Sequence, residues 1–370
     1  MGAVPSHRHT DRSGPSGWRG TAWGLVVHIS LRADEPSTGP VTATPDRQAR
    51  LASSTMTSPQ PLVPYAVDDV ISAAQLASRG IDSHAVRRLV RQGLLHQLCT
   101  GWYATRAATD AADRHLLRSR AVVRHLGGRA ALSHESRVLA AGLPVWRAEL
   151  TAVHVTRVDD EVTRRRVHVV SHSRIVGLEM SHLAGIGPVV PVAVAVVQTG
   201  LVAGPLDAAI AADAALHGTR VTREELDAAL RLLSGHPGLR RVAAALERCD
   251  ARHESPGETR LAHVMADLDV AVTPQFAVTT RLGRRFADFR VDGTRVLLEF
   301  DGRVKYTDPR RGADVLWQEK RRQDALEDEG WTVVRVTWAD LGDPAALWRR
   351  IQAAINRNRS RSRSRSPERR

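Results

Sequence analysis

The feature that most constrains the fold is the pair Asp292-Gly293, which separates two runs rich in β-branched and aromatic residues, 285–291 and 294–302. An Asp-Gly pair between such runs is the strongest short-range signal for a β-hairpin. With a two-residue loop at this pair, Phe289 is expected to lie opposite Val296. The chain must therefore build a sheet around this hairpin.

Alternation along the two strands separates an apolar face from an acidic one. The apolar face is predicted to carry Ala287, Phe289, Val291, Val296, Leu298 and Phe300. The acidic face carries Asp288, Glu299 and Asp301, with the first two as diagonal neighbours about 7–8 Å apart at the backbone. Carboxylates this close repel each other unless a cation lies among them, and Mg²⁺ or Mn²⁺ prefers such oxygen ligands. We predict a metal site here; a solvated strand face is the alternative.

Two lysines follow the hairpin, Lys305 and Lys320, and the chain contains no other lysine. In so arginine-rich a sequence they are candidates for a role that arginine cannot fill. A lysine ammonium is a compact point charge whose pKa can be tuned by its surroundings.

The residues from the hairpin onward resemble the PD-(D/E)XK nuclease superfamily, and most of all its small domains related to very-short-patch-repair enzymes. The resemblance is carried by Asp288, by residues 299–302 (Glu-Phe-Asp-Gly), and by residues 319–326 and 330–336. Residues 255–260 also resemble the opening of the first helix of those domains. Together these segments span about residues 252–355.

This resemblance implies Mg²⁺-dependent hydrolysis of phosphodiester bonds, with Glu258 on the first helix supporting a metal ligand. The superfamily has a lysine two positions after the glutamate, where this chain has Asp301. A lysine would then have to reach the site from position 305 or 320, to stabilise charge on the phosphate or help deprotonate water. Otherwise the site works without a lysine, or the domain does not cut.

Arg321 and Arg322 are predicted to point from the next helix toward the acidic site. There they could hold a phosphate or pair with the carboxylates. A plain i,i+3 ion pair between Arg321 and Asp324 is the alternative.

Charge and cysteine content limit the classes of partner and the cellular compartment that fit this sequence. The net charge of +13 points to an anionic partner. Residues 357–370 carry seven arginines against one glutamate, so the rest of the chain is only mildly basic. We expect this Arg/Ser tail to be disordered. The two cysteines provide neither a disulfide framework nor a zinc cluster, which fits a reducing, cytoplasmic compartment, and no apolar run reaches the roughly 18 residues of a membrane span.

Residues 1–64 show no sustained period and are predicted to be disordered. Met56 is an alternative start to Met1. Organised sequence follows as two short helices, the first opened by a capping box at Ser72 and the second capped by Asp82. Two short strands then complete a predicted winged helix-turn-helix over residues 65–106.

The exposed side of the second helix is predicted to carry His84, Arg87, Arg88 and Arg91. A recognition helix would meet the major groove of DNA with these side chains; a solvated cationic face is the alternative. Residues 66–106 resemble the N-terminal winged helix of AbiEi-type antitoxins, which implies DNA binding and a cognate toxin protein as a partner.

Residues 107–250 are predicted to form an α/β middle domain of the antitoxin type. Helices are expected over residues 113–125 and after a capping box at Thr222, while residues 191–201 fit a helix or a buried strand equally well. The pair His134-Glu135 lacks a second histidine at i+4, so we expect it to pack within a helix rather than to bind a metal.

The predicted fold class is α+β multidomain, ending in a restriction-endonuclease-like α/β sandwich over residues 251–356. Two functions follow. The first is a metal-dependent DNA endonuclease placed on DNA by its winged helix. The second is an antitoxin-type transcriptional regulator whose nuclease fold is inactive.

Overall fold

The computed structural model describes residues 66–302 and 321–365, with side chains described as far as residue 360. Within these ranges the protein is α+β, with three sheets and helices packed around them. The predicted N-terminal extension and the two lysines lie outside the described residues.

The first unit is a small sheet with two helices. Its elements are β1 (Val70–Ser72), α1 (Ala73–Ala77), α2 (Ser83–Arg91), β2 (His96–Cys99) and β3 (Trp102–Ala104). The strands pair antiparallel in the order β1-β3-β2.

Local hydrogen bonds at the helix starts explain why these two helices form. Ser72 Oγ accepts from the Gln75 backbone N–H while the Gln75 side chain accepts from the Ser72 N–H, so the predicted capping box is confirmed. Asp82 accepts from the Ala85 N–H at the start of α2. Val86 is the buried residue of α2 and packs in a core with Leu76.

The middle unit is a mixed six-stranded sheet followed by four helices. The elements are α3 (Ala111–Leu126), β4 (Ala130–Leu132), α4 (His134–Ala140), β5 (Val153–Arg157), β6 (Arg164–Arg166), β7 (Val169–His172), β8 (Ser181–Leu183), β9 (Gly187–Val189), α5 (Val192–Val202), α6 (Pro205–His217), α7 (Arg223–Leu232) and α8 (Leu239–Leu246). The strand order is β6-β7-β5-β4-β9-β8.

Helix α5 resolves the ambiguous segment in favour of a helix. Its residues 193–200 are all buried, and the helix packs against α4, α6 and α7. A helix enclosed on all sides has no polar stripe, which is why periodicity could not separate it from a buried strand. The predicted capping box at Thr222, which opens α7, is confirmed.

Helix α3 packs with one side against the first unit and with the other side against the middle unit. Leu117 and Ala121 pack with residues of the first sheet, whereas Val122 and Val123 pack against the six-stranded sheet. The first unit is thus attached to the middle unit through a shared buried helix.

The C-terminal unit is a four-stranded sheet with helices on both faces. Its elements are α9 (Pro256–Asp267), β10 (Val272–Thr280), β11 (Gly283–Val291), β12 (Val296–Asp301), α10 (helical residues 321–328), β13 (Thr332–Thr337) and α11 (Pro344–Arg365). The order is β10-β11-β12-β13, and β12 and β13 are parallel while the other neighbours are antiparallel. Leu261 of α9 and Ile351 of α11 pack on one face, and Leu326 of α10 packs on the other.

The hairpin forms where predicted but in a different register. Phe289 pairs with Leu298 rather than with Val296, and the turn comprises the four residues 292–295. Thr294 explains the longer turn, because its hydroxyl donates to the Val291 carbonyl and accepts from the Val296 N–H. The shift is two residues, so each side chain keeps its predicted orientation in this part of the ladder.

Ala287 departs from the predicted apolar face. It packs with Leu297 and Leu326, whereas Phe289 and Leu298 belong to the opposite core. The change falls beside Gln275 of β10, whose φ of +49° interrupts the regular extended backbone. The apolar side chains of β11 therefore lie on opposite faces of the sheet at Phe289 and at Ala287. Strict alternation along the strand does not predict this change.

The C-terminal helix corrects the prediction that residues 357–370 are disordered. Helix α11 continues to Arg365. Asn358 holds it against the sheet by donating to the Gly330 carbonyl at 2.9 Å and to Thr332 Oγ1 at 3.2 Å. Residues 366–370 lie outside the described part.

Ring stacking and a buried histidine–aspartate contact help to join the middle and C-terminal units. The indole rings of Trp146 and Trp338 stack with centroids 4.8 Å apart. His253 Nδ1 lies 2.6 Å from Asp213 Oδ2, and both side chains are buried. None of the described helices has the length and apolar composition to cross a membrane.

Candidate acidic site in the C-terminal unit

The acidic site lies where β11 and β12 separate. Their ladder ends at the pair formed by Phe289 and Leu298. Just beyond it, Asp288 Oδ2 accepts a hydrogen bond of 2.6 Å from the Phe300 backbone N–H. The carboxylate thus takes the place of a ladder carbonyl and is fixed between the two strands.

Glu258 reaches the same place from the first turn of α9. Its carboxylate accepts from Ser255 Oγ at 2.8 Å, from the Glu254 N–H at 3.0 Å and from Gln275 Nε2 at 3.3 Å. Burial is the largest cause of a raised Glu258 pKa. The hydrogen bonds from Glu254 and Ser255 act in the opposite direction.

The approach of α9 to the site depends on Gly257. A Cβ at this position would lie 1.9 Å from Cε1 of the Phe300 ring. Only glycine lets the helix start lie against this ring, and so brings Glu258 close to Asp288.

Asp288 is the electrostatic centre of the site. Its pKa is raised to about 7, first by burial, then by the charge of Glu258 and, more weakly, by that of Glu299. The hydrogen bond from Phe300 and the charge of Arg322 act in the opposite direction. Three carboxylates from α9, β11 and β12 therefore act on one another, and a bound cation would relieve their repulsion.

Arg322 of α10 is a cation that faces these carboxylates. Its Nη2 lies 3.6 Å from Glu299 Oε1 and donates to the Phe286 carbonyl at 3.3 Å. Of the two roles considered for this arginine, pairing with a carboxylate is the one observed. Arg321 and Asp324 are exposed on the same helix.

The predicted triad of Asp288, Glu299 and Asp301 is not drawn together. Among the described residues, these three do not form a set whose oxygens all lie within 4.8 Å of one another. Asp301 ends β12 opposite Thr337 of β13, and the carboxylates that act most strongly on Asp288 are Glu258 and Glu299. A metal would be held first by the Asp288–Glu299 pair, with Glu258 beside it.

The arginine-rich end of the β10–β11 hairpin was missed by sequence reasoning. Arg284, Arg285 and Phe286 are exposed there, and the Arg284 guanidinium lies over the Phe286 ring at 5.2 Å. Because Arg322 bonds to the Phe286 carbonyl, this end of the hairpin adjoins the acidic site. Basic residues interleaved with an aromatic one were the available signal.

The candidate DNA-binding residues of the first unit lie together on α2. His84, Arg87, Arg88 and Arg91 are all exposed, on the side of the helix away from buried Val86.

Comparison with known proteins adds little to this description. No family model and no curated protein matches the chain. A crystal structure of the RV2827C protein from Mycobacterium tuberculosis is similar with a TM-score of 0.34 and 16% identity, over 56% of this chain and 83% of that one. A TM-score this low supports no inference about fold or function.

Proposed function

We propose that the protein is a metal-dependent endonuclease acting on DNA. The observation that carries this proposal is the half-buried Asp288 carboxylate beside Glu258 and Glu299, with a pKa raised to about 7. Such a cluster is costly in a metal-free protein and is relieved when a hard divalent cation binds.

The order of elements in the C-terminal unit supports the same proposal. A helix, three antiparallel strands, a further helix and a parallel strand follow one another, with Asp288 and Glu299 on adjacent strands. This arrangement is compatible with the restriction-endonuclease-like α/β sandwich predicted for residues 251–356.

Mg²⁺ or Mn²⁺ bound here would activate water and neutralise charge on the phosphate. Asp288 and Glu299 would hold the ion, and its positive charge would offset the repulsion from Glu258 that otherwise raises the Asp288 pKa. Arg322 would exchange its contact with Glu299 for a phosphate oxygen of the substrate. Arg284 and Arg285 would contact the DNA backbone beside the cut.

The first unit would place the nuclease on DNA. Its two capped helices and three-stranded sheet are compatible with the proposed winged helix-turn-helix, in which the exposed arginines of α2 enter the major groove. On the basis of the resemblance to AbiEi-type antitoxins, we also propose a toxin protein as a partner.

Cleavage of supercoiled plasmid by the full-length protein tests the proposal. Nicking is expected with Mg²⁺ or Mn²⁺ and not with EDTA. Glu299→Gln and Asp288→Asn are expected to reduce the rate at least about 100-fold, since each removes a metal ligand. Asp269→Asn is the matched control, because Asp269 is an exposed carboxylate away from the site at a positive φ that asparagine tolerates.

Metal-dependent nicking that survives both substitutions would exclude this site as its origin. An absence of nicking together with sequence-specific DNA binding would favour the second candidate, an antitoxin-type regulator. Asp301 in the place of the usual lysine and the contact between Arg322 and Glu299 favour that candidate.

A further inference from the structure

A second cluster of metal-ligating side chains lies in the middle unit, away from the acidic site. It comprises His134 at the start of α4, His154 of β5 and His172 at the end of β7. Strands β4, β5 and β7 are neighbours in the sheet, so three segments distant in sequence meet here.

The three imidazole rings are in close contact. Each offers one nitrogen, and these nitrogens all lie within 4.8 Å of one another. His154 Nδ1 is 2.9 Å from His172 Nε2, and the His134 ring stacks on His172 with centroids 3.7 Å apart. Ligand nitrogens on a tetrahedral Zn²⁺ are about 3.4 Å apart, given Zn–N bonds of about 2.1 Å. The His134 and His172 rings are stacked with 19° between their planes, so one of them would have to rotate out of the stack to direct its nitrogen at the same ion.

The nitrogens that face away from the cluster have partners that fix two of the rings. Ser133 Oγ lies 2.9 Å from His134 Nδ1, and Glu135 Oε1 lies 3.4 Å from His154 Nε2. A histidine that ligates a metal usually bonds through its other nitrogen to a carboxylate or a similar group. The nitrogens left to bind a metal would be Nε2 of His134, Nδ1 of His154 and Nε2 of His172, the last two of which lie 2.9 Å apart.

Glu135 supplies a buried carboxyl group beside the cluster. Its side chain is buried, and its Oε2 has no hydrogen-bond partner within the described residues. An unsatisfied buried carboxylate oxygen beside three uncharged rings is costly without a cation.

The backbone at His134 is held in an uncommon conformation. Its φ is +51°, in the left-handed region that few residues other than glycine adopt. Gln198 of α5 stabilises this conformation, because its Oε1 accepts from the His134 N–H at 3.4 Å and its Nε2 donates to Thr156 Oγ1 at 3.0 Å. The surrounding structure thus enforces the position of the His134 ring.

Burial lowers the pKa of all three histidines. The His154 pKa falls to about 4 and the His172 pKa to about 3, and the His134 pKa also lies well below its usual value.

We propose that His134, His154 and His172 bind one Zn²⁺ ion, with Glu135 orienting His154. Imidazole nitrogens suit Zn²⁺, whereas the oxygens of the acidic site suit Mg²⁺, so the two sites differ in metal preference. The ion ties the start of α4 to β5 and β7. A purely hydrogen-bonded histidine core is the competing explanation.

The test is a titration of the full-length, chelator-stripped protein with Zn²⁺ followed by calorimetry. One equivalent per chain is expected. His172→Ala should weaken binding at least about 100-fold because it removes a ligand, and Glu135→Gln should weaken it about 10–100-fold as an orienting partner. His182→Ala is the matched control, since His182 is an exposed histidine on β8 of the same sheet.

Two further measurements keep the outcome decisive. Asp288→Asn should bind Zn²⁺ at this site as the unchanged protein does, which separates it from the acidic site and from the proposed nuclease activity. Co²⁺ should give visible absorption bands of a four-coordinate nitrogen-ligated ion, and these should vanish in His172→Ala. A stripped protein that remains folded by circular dichroism but takes up no stoichiometric Zn²⁺ would overturn the proposal, as would unchanged affinity in His172→Ala.

Discussion

Asp288 shows how a single side chain can oppose the stability of the fold that holds it. Its pKa of about 7 in the folded protein lies above the ordinary value of 3.8. Between these values the folded protein keeps a proton that the unfolded chain has released. Stability therefore falls as the pH rises from about 4 to 7.

Asp288→Asn should remove this pH-dependent cost. In EDTA at about pH 8 the variant should be more stable than the unchanged protein by about 2 kcal/mol, after allowance for solvent screening, and the difference should disappear near pH 4. Urea unfolding at both pH values measures it. A variant that is less stable at the higher pH would show that the Phe300 hydrogen bond outweighs the charge repulsion.

His134 illustrates what residue-level reasoning could not predict. Within α4 the pair His134-Glu135 has no second histidine at i+4, so the sequence alone does not indicate a metal site there. The other two histidines come from neighbouring strands, at positions 154 and 172. Strand order is not readable from the spacing of histidines in the sequence.

At the scale of single elements, the hairpin of β11 and β12 shows which features local sequence determines. The turn at Asp292-Gly293 and the strand pair were predicted, because turn chemistry and alternation are local. The register was not, since it depends on the Thr294 hydroxyl. The partnership of Asp288 with Glu258 was expected only from the family resemblance.

Helix α9 should tolerate no side chain at its closest approach to β12. Gly257→Ala would place a methyl group 1.9 Å from the Phe300 ring. We expect a loss of about 2–4 kcal/mol from the free energy of unfolding, because the helix and the strand must move apart. Gly342→Ala, where an added Cβ meets nothing within 4 Å, is the control. Equal urea midpoints for the two variants would contradict this packing.

Helix α2 should supply salt-dependent affinity for DNA. Replacing Arg87 and Arg91 by alanine removes two exposed positive charges. The slope of log affinity against log salt concentration should decrease by about 2, since each lost phosphate contact contributes about 0.9. Fluorescence anisotropy with a labelled duplex measures this slope. An unchanged slope would identify α2 as a solvated face without contact to DNA.

At the scale of the whole molecule, buried neutral histidines make the metal-free fold sensitive to acid. His115 belongs to this group, with a pKa lowered to about 4 by burial. Its Nδ1 lies 3.1 Å from the Leu150 carbonyl, which requires a donor, and its Nε2 lies 2.9 Å from Ser136 Oγ. These rings are uncharged in the folded protein and take up protons on unfolding.

The free energy of unfolding should therefore keep its full contribution from these neutral histidines above about pH 6.5. This contribution should decrease as the pH falls toward the folded-state pKa values near 4. Each such histidine should cost about 2 kcal/mol by about pH 5. Urea midpoints of the chelator-stripped protein across this range measure the loss. His115→Gln should reduce the pH dependence, whereas the exposed His182→Ala should leave it unchanged; equal dependence in both variants would show that His115 does not contribute.

The stacked rings of Trp146 and Trp338 have a consequence for how the halves of this protein can be studied. Trp338 also meets the ring of Phe300 edge-on, with centroids 4.8 Å apart, and the Phe300 backbone holds Asp288. A fragment beginning near residue 251 would uncover an indole face and deprive His253 of Asp213. Because Trp146, Trp338 and Phe300 are in contact one after another, a metal that binds at the carboxylates should change the tryptophan fluorescence.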